Sequence, residues 1–208
     1  SFSGGENLNK TTSESFMNTG FYSSLSAGNP LIVGNTLIRV SAETAGSFRV
    51  DSSVARIAPY AFADCEMIEQ IIIPESVNYI GEFAFNNTKS LDCVVYLGSE
   101  YSFNNNVAVE GNWNDNMGYE GTTLLVTNGE EFIETTDTYS NGLSFVMNAA
   151  TGTYYVSSYD GTEQNVTIPR KYMGIDVTGI RSSAFAYNDD IISVTIPTTL
   201  KVIENSAF

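Results

Sequence analysis

The feature that most constrains this chain is a spacing of apolar residues that recurs every 23 positions. The pattern runs Val-x2-Ile-x3-Ala-Phe-x2-Cys-x2-Ile-x2-Ile-x-Ile-Pro, and its whole copy occupies 54–74. A partial copy follows at 77–97, another copy occupies 177–197, and the start of a further one occupies 200–208. A fixed period in the low twenties is typical of a solenoid, in which each coil packs on its neighbours. The sequence therefore predicts a repeat solenoid that is mainly β with short helical turns.

Within each coil the pattern predicts one extended strand and one turn. Ile68, Ile71 and Ile73 fall on one side of an extended segment, and Pro74 ends it because proline has no N–H to donate. The pair at 61–62 should lie in a helical turn that buries the phenylalanine ring. We expect strands that are parallel within each block near 48–50, 71–73, 94–96, 166–168 and 194–196.

The repeats occur in two separate runs. The distance from Val77 to Val177 is 100 residues, which is not a multiple of 23. Gly34-Asn35 between two β-branched runs predicts a hairpin before the first run, and 143–158 predicts one before the second. The predicted organisation is two short repeat blocks, each preceded by a β-hairpin cap. In chain order it is a polar leader at 1–30, a hairpin cap and first block at 31–126 with an irregular Asn/Gly-rich loop at 98–121, a linker at 127–142, and a hairpin cap with a truncated second block at 143–208.

Composition excludes several functions. The net charge is −15, with 9 basic residues against 24 acidic ones, so a nucleic acid is not an expected partner. The chain has no histidine, which excludes Ser-His and Cys-His catalysis and disfavours zinc. No apolar run approaches the ~20 residues of a membrane span. We therefore expect no enzyme activity, no cofactor, no metal and no membrane insertion within this sequence.

Two weaker patterns concern a calcium loop and the two cysteines. Asparagines at 112–116 followed by Gly118 resemble a calcium loop, but the glycine is one place late and Thr123 stands where the bidentate glutamate belongs. Cys65 is interpreted as a small buried apolar residue. Five residues of lateral offset between Cys65 and Cys93 on stacked coils disfavour a disulfide.

The repeat resembles the BspA-like leucine-rich repeats of bacterial and some protozoan surface proteins. The resemblance covers about 48–97 and 166–208 and rests on the spacing quoted above. Thr88 and Asn188 depart from it at the cysteine position, and Tyr96-Leu97 replaces Ile-Pro. The resemblance implies a cell-surface or secreted protein, with signal and anchor outside this sequence, that adheres to host or neighbouring-cell components. It implies no catalytic residues.

These observations favour a non-enzymatic interaction or adhesion module that binds a host-matrix or cell-surface protein through its solenoid surface. The alternative is a glycan-binding or targeting module attached to a surface enzyme. Tyr154, Tyr155 and Tyr159 could stack on sugars, although packing within the hairpin is the favoured interpretation. A last coil with exposed apolar side chains also predicts weak end-to-end self-association.

The period also predicts a binding surface on the outward face of the strands. An offset of 23 stacks Gln70 on Cys93, and it stacks Arg49, Ile72 and Val95 in the next row. Ile72 and Val95 would form an exposed apolar step beside a rare cation, which is typical of interfaces. The predicted ligand-binding residues are therefore Arg49, Gln70, Ile72, Cys93 and Val95. In the alternative interpretation, the leader covers this step with Phe16 or Phe21.

Overall fold

The computed structural model describes residues 20, 24–115, 117, 122–128, 130–134 and 136–208. The chain divides into two compact units, Ser1–Glu131 and Phe132–Phe208, and each is described by itself. Most of the predicted leader lies outside the described residues.

The first unit contains two sheets whose strands repeat from coil to coil. Ladder A begins with an antiparallel hairpin, in which Gly34 takes a φ of 60° that favours glycine. Its later strands are all parallel, as are the strands of ladder B. Ladder A consists of β1 (Leu31–Val33), β2 (Thr36–Arg39), β4 (Arg56–Ile57), β6 (Tyr79–Ile80) and β8 (Ala108–Val109). Ladder B consists of β3 (Gly46–Arg49), β5 (Ile68–Ile73), β7 (Cys93–Tyr96) and β9 (Thr123–Val126).

The register confirms the predicted strands and their parallel stacking. Gln70 pairs with Cys93 and Ile73 with Tyr96, so neighbouring coils are offset by the period of the sequence. The buried core of this unit includes Ile71 and Ile73 of ladder B and Ile57 of ladder A.

Aromatic rings form a continuous column through this core. Phe62 stacks on Phe85 with ring centroids 5.2 Å apart, and Phe48 meets Phe62 edge-on at 5.5 Å. Trp113 meets Phe85 edge-on at 5.9 Å in the following coil. The predicted burial of these phenylalanines is confirmed, because Phe62 and Phe85 are both fully buried.

The Ala-Phe segment is not the helical turn that the sequence predicts. It is a series of tight turns with left-handed residues at Tyr60 and Asp64, where φ is 59° and 63°. The N–H of Phe62 donates to the carbonyl of Ala84 in the next coil at 2.8 Å, rather than to its own turn. Such coil-to-coil bonds alternate with local turn bonds, such as that from the N–H of Cys65 to the carbonyl of Phe62 at 3.1 Å, so the segment forms no continuous helix. Left-handed residues recur at the equivalent positions Phe83, Asn87, Ser183, Tyr187 and Ser206.

The segment predicted as an irregular loop contains a helix, so that prediction is wrong for part of its length. Helix α1 spans Glu100–Asn106, and Ser99 caps it by accepting a hydrogen bond from the N–H of Ser102 at 3.0 Å. Its buried Phe103 lies 5.1 Å from the ring of Tyr96. A capping serine followed by an acidic first turn is a helix-start signal that the run of asparagines obscured.

The first strands of the second unit form the predicted antiparallel hairpin, and most of the later strands pair in parallel. The hairpin joins β10 (Leu143–Asn148) to β11 (Thr153–Tyr159). β11 pairs in parallel with β14 (Ile175–Ile180), which pairs in parallel with β16 (Val202–Ile203) and antiparallel with β13 (Lys171–Tyr172). β12 (Asn165–Thr167) and β15 (Ser193–Thr195) form a separate parallel pair, as predicted.

A second aromatic column runs through this unit. Buried Phe185 lies 5.7 Å from the ring of Tyr159 and stacks on Phe208 at 5.1 Å. The later part of the segment predicted as a linker is hydrogen-bonded into the same unit. The N–H of Ser140 donates to Thr167 at 3.1 Å, and that of Asp137 donates to Lys171 at 3.1 Å.

Candidate functional site: a groove where three strands end

The structure buries four of the five predicted ligand-binding residues. Arg49 is exposed, but Gln70, Ile72 and Cys93 are 0% exposed and Val95 is 1% exposed. The prediction that Ile72 and Val95 form an exposed apolar step is therefore wrong. The physical reason is that β5 and β7, the two inner strands of ladder B, are buried on both faces, so that every residue of β7 is buried. The alternative covering by Phe16 or Phe21 falls on residues outside those described.

Ser47, Gln70 and Cys93 form a row of polar residues on neighbouring strands, and their side chains are hydrogen-bonded to one another. The hydroxyl of Ser47 donates to Oε1 of Gln70 at 3.0 Å, and Nε2 of Gln70 donates to the sulfur of Cys93 at 3.5 Å. A buried amide is costly unless it is hydrogen-bonded, so this row stabilises the stack of three strands. Cys65 and Cys93 are buried thiols and form no disulfide with each other.

Arg49, the exposed residue of the predicted set, lines a groove that the sequence did not predict. β3, β5 and β7 end side by side, and the 23-residue offset places Asp51, Pro74 and Leu97 at equivalent positions after them. The backbone pairing continues past the strand ends, since the N–H of Leu97 donates to Ile73 at 2.9 Å. The equivalent positions are thus held in a fixed row across three coils.

The groove has a volume of about 580 Å³ and a mixed lining that is slightly more apolar than polar. Phe48 and Pro74 line it from the strand ends, while Pro30 and Ile32 line it from the chain around the first hairpin. Leu97 is half-buried at the third coil. A concave apolar surface with a few polar groups at its rim is typical of a binding site.

The polar rim carries a carboxylate that is fixed in direction. Oδ1 of Asp51 accepts hydrogen bonds from the hydroxyl of Ser53 at 2.6 Å and from its N–H at 2.8 Å. These bonds favour the charged form and lower the pKa of Asp51. Asp51 therefore presents a negative charge to solvent at neutral pH.

A second carboxylate lies beside Pro74. Glu75 is exposed, and its Cγ would be 3.0 Å from a Cβ placed on Gly98. The side chain of Glu75 therefore extends over Gly98 in the next coil. Any Cβ at Gly98 would also come within 2.5 Å of the Tyr96 ring, so glycine is required for this close approach.

The other candidate binding sites are a smaller hollow and the tyrosines of the second hairpin. A smaller hollow of about 270 Å³ lies between Val94, Trp113 and Leu124. Tyr154 is fully buried, and Tyr155 and Tyr159 are also buried, so none of the three rings is available to stack on a sugar. These rings pack inside the second unit, as the favoured interpretation expected.

The described part of the chain also bears on metal binding and membrane insertion. Over these residues, no group of three or more His, Cys, Asp and Glu side chains is arranged to hold a metal ion. The pattern that resembles a calcium loop includes residues 116, 118 and 120, which lie outside the described residues. No helix within the described ranges is both long enough and apolar enough to cross a membrane.

Comparison with known families decides the assignment of the repeat. A family described as BspA type leucine rich repeat region matches 41–109 and 160–208 in six copies, which is more than half of the chain. The chain belongs to the BspA-type leucine-rich repeat family. The family match includes both runs of repeats, the turns with left-handed residues and the strand ends that line the groove.

More distant likeness adds no functional information. A crystal structure of a leucine rich cell surface protein from Faecalibacterium prausnitzii A2-165 matches 83% of this chain and 58% of its own, at 16% identity and a TM-score of 0.21. The chain thus spans less than two thirds of that protein, and a similarity this distant assigns nothing to it. No curated protein matches the chain.

Proposed function

We propose that this BspA-type chain is a non-enzymatic interaction module of a cell-surface or secreted protein. In this proposal it binds an extended segment of a host-matrix or neighbouring-cell protein in the groove at the ends of β3, β5 and β7. The single observation that carries the proposal is the groove itself, which is apolar within and charged at its rim.

The proposed architecture is two solenoid blocks, each closed at its start by a hairpin. In support, β2 of the first hairpin is also the strand on which β4 stacks, and β11 of the second hairpin is the strand on which β14 stacks. Each hairpin thus provides the first strand of a parallel ladder. Such a cap protects the edge that the first coil would otherwise expose.

A rigid framework makes this groove suitable for binding. Pro74 and Leu97 follow β5 and β7, which are hydrogen-bonded on both sides, and Asp51 follows β3, which pairs with β5. A preformed site loses little conformational entropy when a ligand binds, which leaves more of the contact energy for affinity. The buried tyrosines of the second hairpin remove the observation that favoured glycan binding, so a protein ligand is the function supported best.

The test fills the groove without disturbing the core. Ser52 is exposed and lines the groove, so Ser52→Trp should occlude it. Ser90 is an exposed turn residue outside the groove, and Ser90→Trp serves as the matched control. Biolayer interferometry against a panel of matrix and cell-surface proteins should detect at least one ligand. Its binding should fall at least tenfold with Ser52→Trp and stay within twofold with Ser90→Trp, at equal melting temperatures. Absence of any ligand, or equal binding by both variants, would contradict the proposal.

A further inference from the structure

Among the described residues, two carboxylates and one cation lie on or directly beside the groove lining. Asp51 lies at the rim, and Glu75 lies beside the lining residue Pro74 and extends along the stack. Both carboxylates are exposed, as is Glu100 at the start of α1 in the third coil. The cation on the lining is Arg49, which already has an interaction within the chain. A ligand that enters the groove therefore meets the exposed carboxylates of Asp51 and Glu75, together with the single guanidinium of Arg49 among the described residues of the lining.

The net charge of the whole chain is also negative. A net charge of −15 creates a field that attracts cations and repels acidic partners before contact. Charge complementarity sets specificity and association rate, while burial of apolar side chains provides most of the affinity. The groove combines an acidic rim with an apolar lining of Phe48, Pro74 and Leu97.

We propose that the occupant of the groove is a basic protein segment, in which lysine or arginine residues flank one or two apolar side chains. This inference rests on the proposed function and names the class of partner. The apolar side chains fill the volume of about 580 Å³ between the first hairpin and the strand ends. The flanking cations face Asp51 at one side of Pro74 and Glu75 at the other.

Three labelled peptides of equal length test this directly. The first has two lysines on each side of a Leu-Pro-Leu centre, the second replaces the lysines by glutamates, and the third keeps the lysines around a Ser-Gly-Ser centre. Fluorescence anisotropy should show the first peptide binding at least tenfold more tightly than either of the others. Binding should weaken as the salt concentration rises, because exposed charges are screened.

Two double variants with equal changes of net charge locate the effect. Asp51→Asn with Glu75→Gln neutralises the groove rim and should weaken the first peptide at least fivefold. Asp189→Asn with Asp190→Asn neutralises two exposed acids of the second unit and should change its binding less than twofold. Melting temperatures should show that both double variants are folded.

Each outcome has a distinct meaning. Equal loss in both double variants would show attraction to net charge alone and overturn the inference, as would tight binding of the serine-centred or the glutamate peptide. If Ser52→Trp blocks capture of a matrix protein while peptide charge has no effect, the proposed function stands and the inference fails. If Ser52→Trp blocks neither, the groove is not the binding site and both fail.

Discussion

Replacing Phe62 by alanine should lower the free energy of unfolding of the first unit by about 4 kcal/mol. The ring is fully buried between Phe48 and Phe85, so the substitution removes an entire buried side chain and two ring contacts. Truncation of a buried phenylalanine costs about 3–5 kcal/mol, and the cost is higher where neighbours cannot collapse into the cavity. Here the neighbouring coils are held by the hydrogen bond from Phe62 to Ala84, so little relaxation is expected.

Urea denaturation followed by tryptophan fluorescence can measure this loss. Trp113 is the only tryptophan of the chain and contacts Phe85, so it reports on the same column. With a slope of about 2 kcal/mol per molar urea, a loss of about 4 kcal/mol moves the midpoint by about 2 M. Tyr101→Ala is the control, because Tyr101 is 73% exposed on α1 and should change stability by less than about 0.5 kcal/mol. A loss below about 2 kcal/mol for Phe62→Ala, or an equal loss for Tyr101→Ala, would refute the reasoning.

Three further predictions concern the turns, the buried thiol and the second unit. Ser183→Gly should raise the free energy of unfolding by about 1 kcal/mol, because Ser183 has a φ of 61° and a left-handed φ costs a residue with a side chain about that much. Ser90 lies in a turn and has no left-handed φ, so Ser90→Gly should not raise it. Urea midpoints of the two variants measure the difference. Burial raises the pKa of the Cys65 thiol from 9.0 to about 12, so its contribution to stability is complete below pH 9 and is lost as the pH rises toward 12. Urea midpoints should therefore fall less steeply above pH 9 in Cys65→Ala than in the parent, and equal slopes would contradict this. Ile203 and Phe208 are 49% and 57% exposed, so sedimentation should detect weak dimers at high protein concentration, and Ile203→Asp should reduce them. A monomer at all concentrations would count against self-association through these two residues.

The sequence by itself determined the repeating part of the fold. The period of 23 predicted parallel strands that pair at that offset, as Gln70 pairs with Cys93. It also predicted the buried phenylalanines and both hairpins. These features can be predicted from the sequence because each coil must place an apolar residue at the same inward position. The apolar pattern therefore recurs once in every coil.

The same pattern gave no information about the outward face of the strands. Ile72 and Val95 occupy outward positions, and nothing in a periodic sequence states whether a non-repeating part of the chain covers them. The structure buries both, which removed the predicted binding step. The Ala-Phe turn likewise depends on hydrogen bonds between coils, as from Phe62 to Ala84, in addition to the local turn bonds.

Only the tertiary structure produced the groove. Asp51, Pro74 and Leu97 are equivalent in the repeat, but Pro30 and Ile32 come from the non-repeating chain around the first hairpin. A concave site needs surfaces from segments far apart in sequence, and the period relates only equivalent positions of neighbouring coils. The strands and core could therefore be predicted, whereas the site depends on where the hairpin packs against the strand ends.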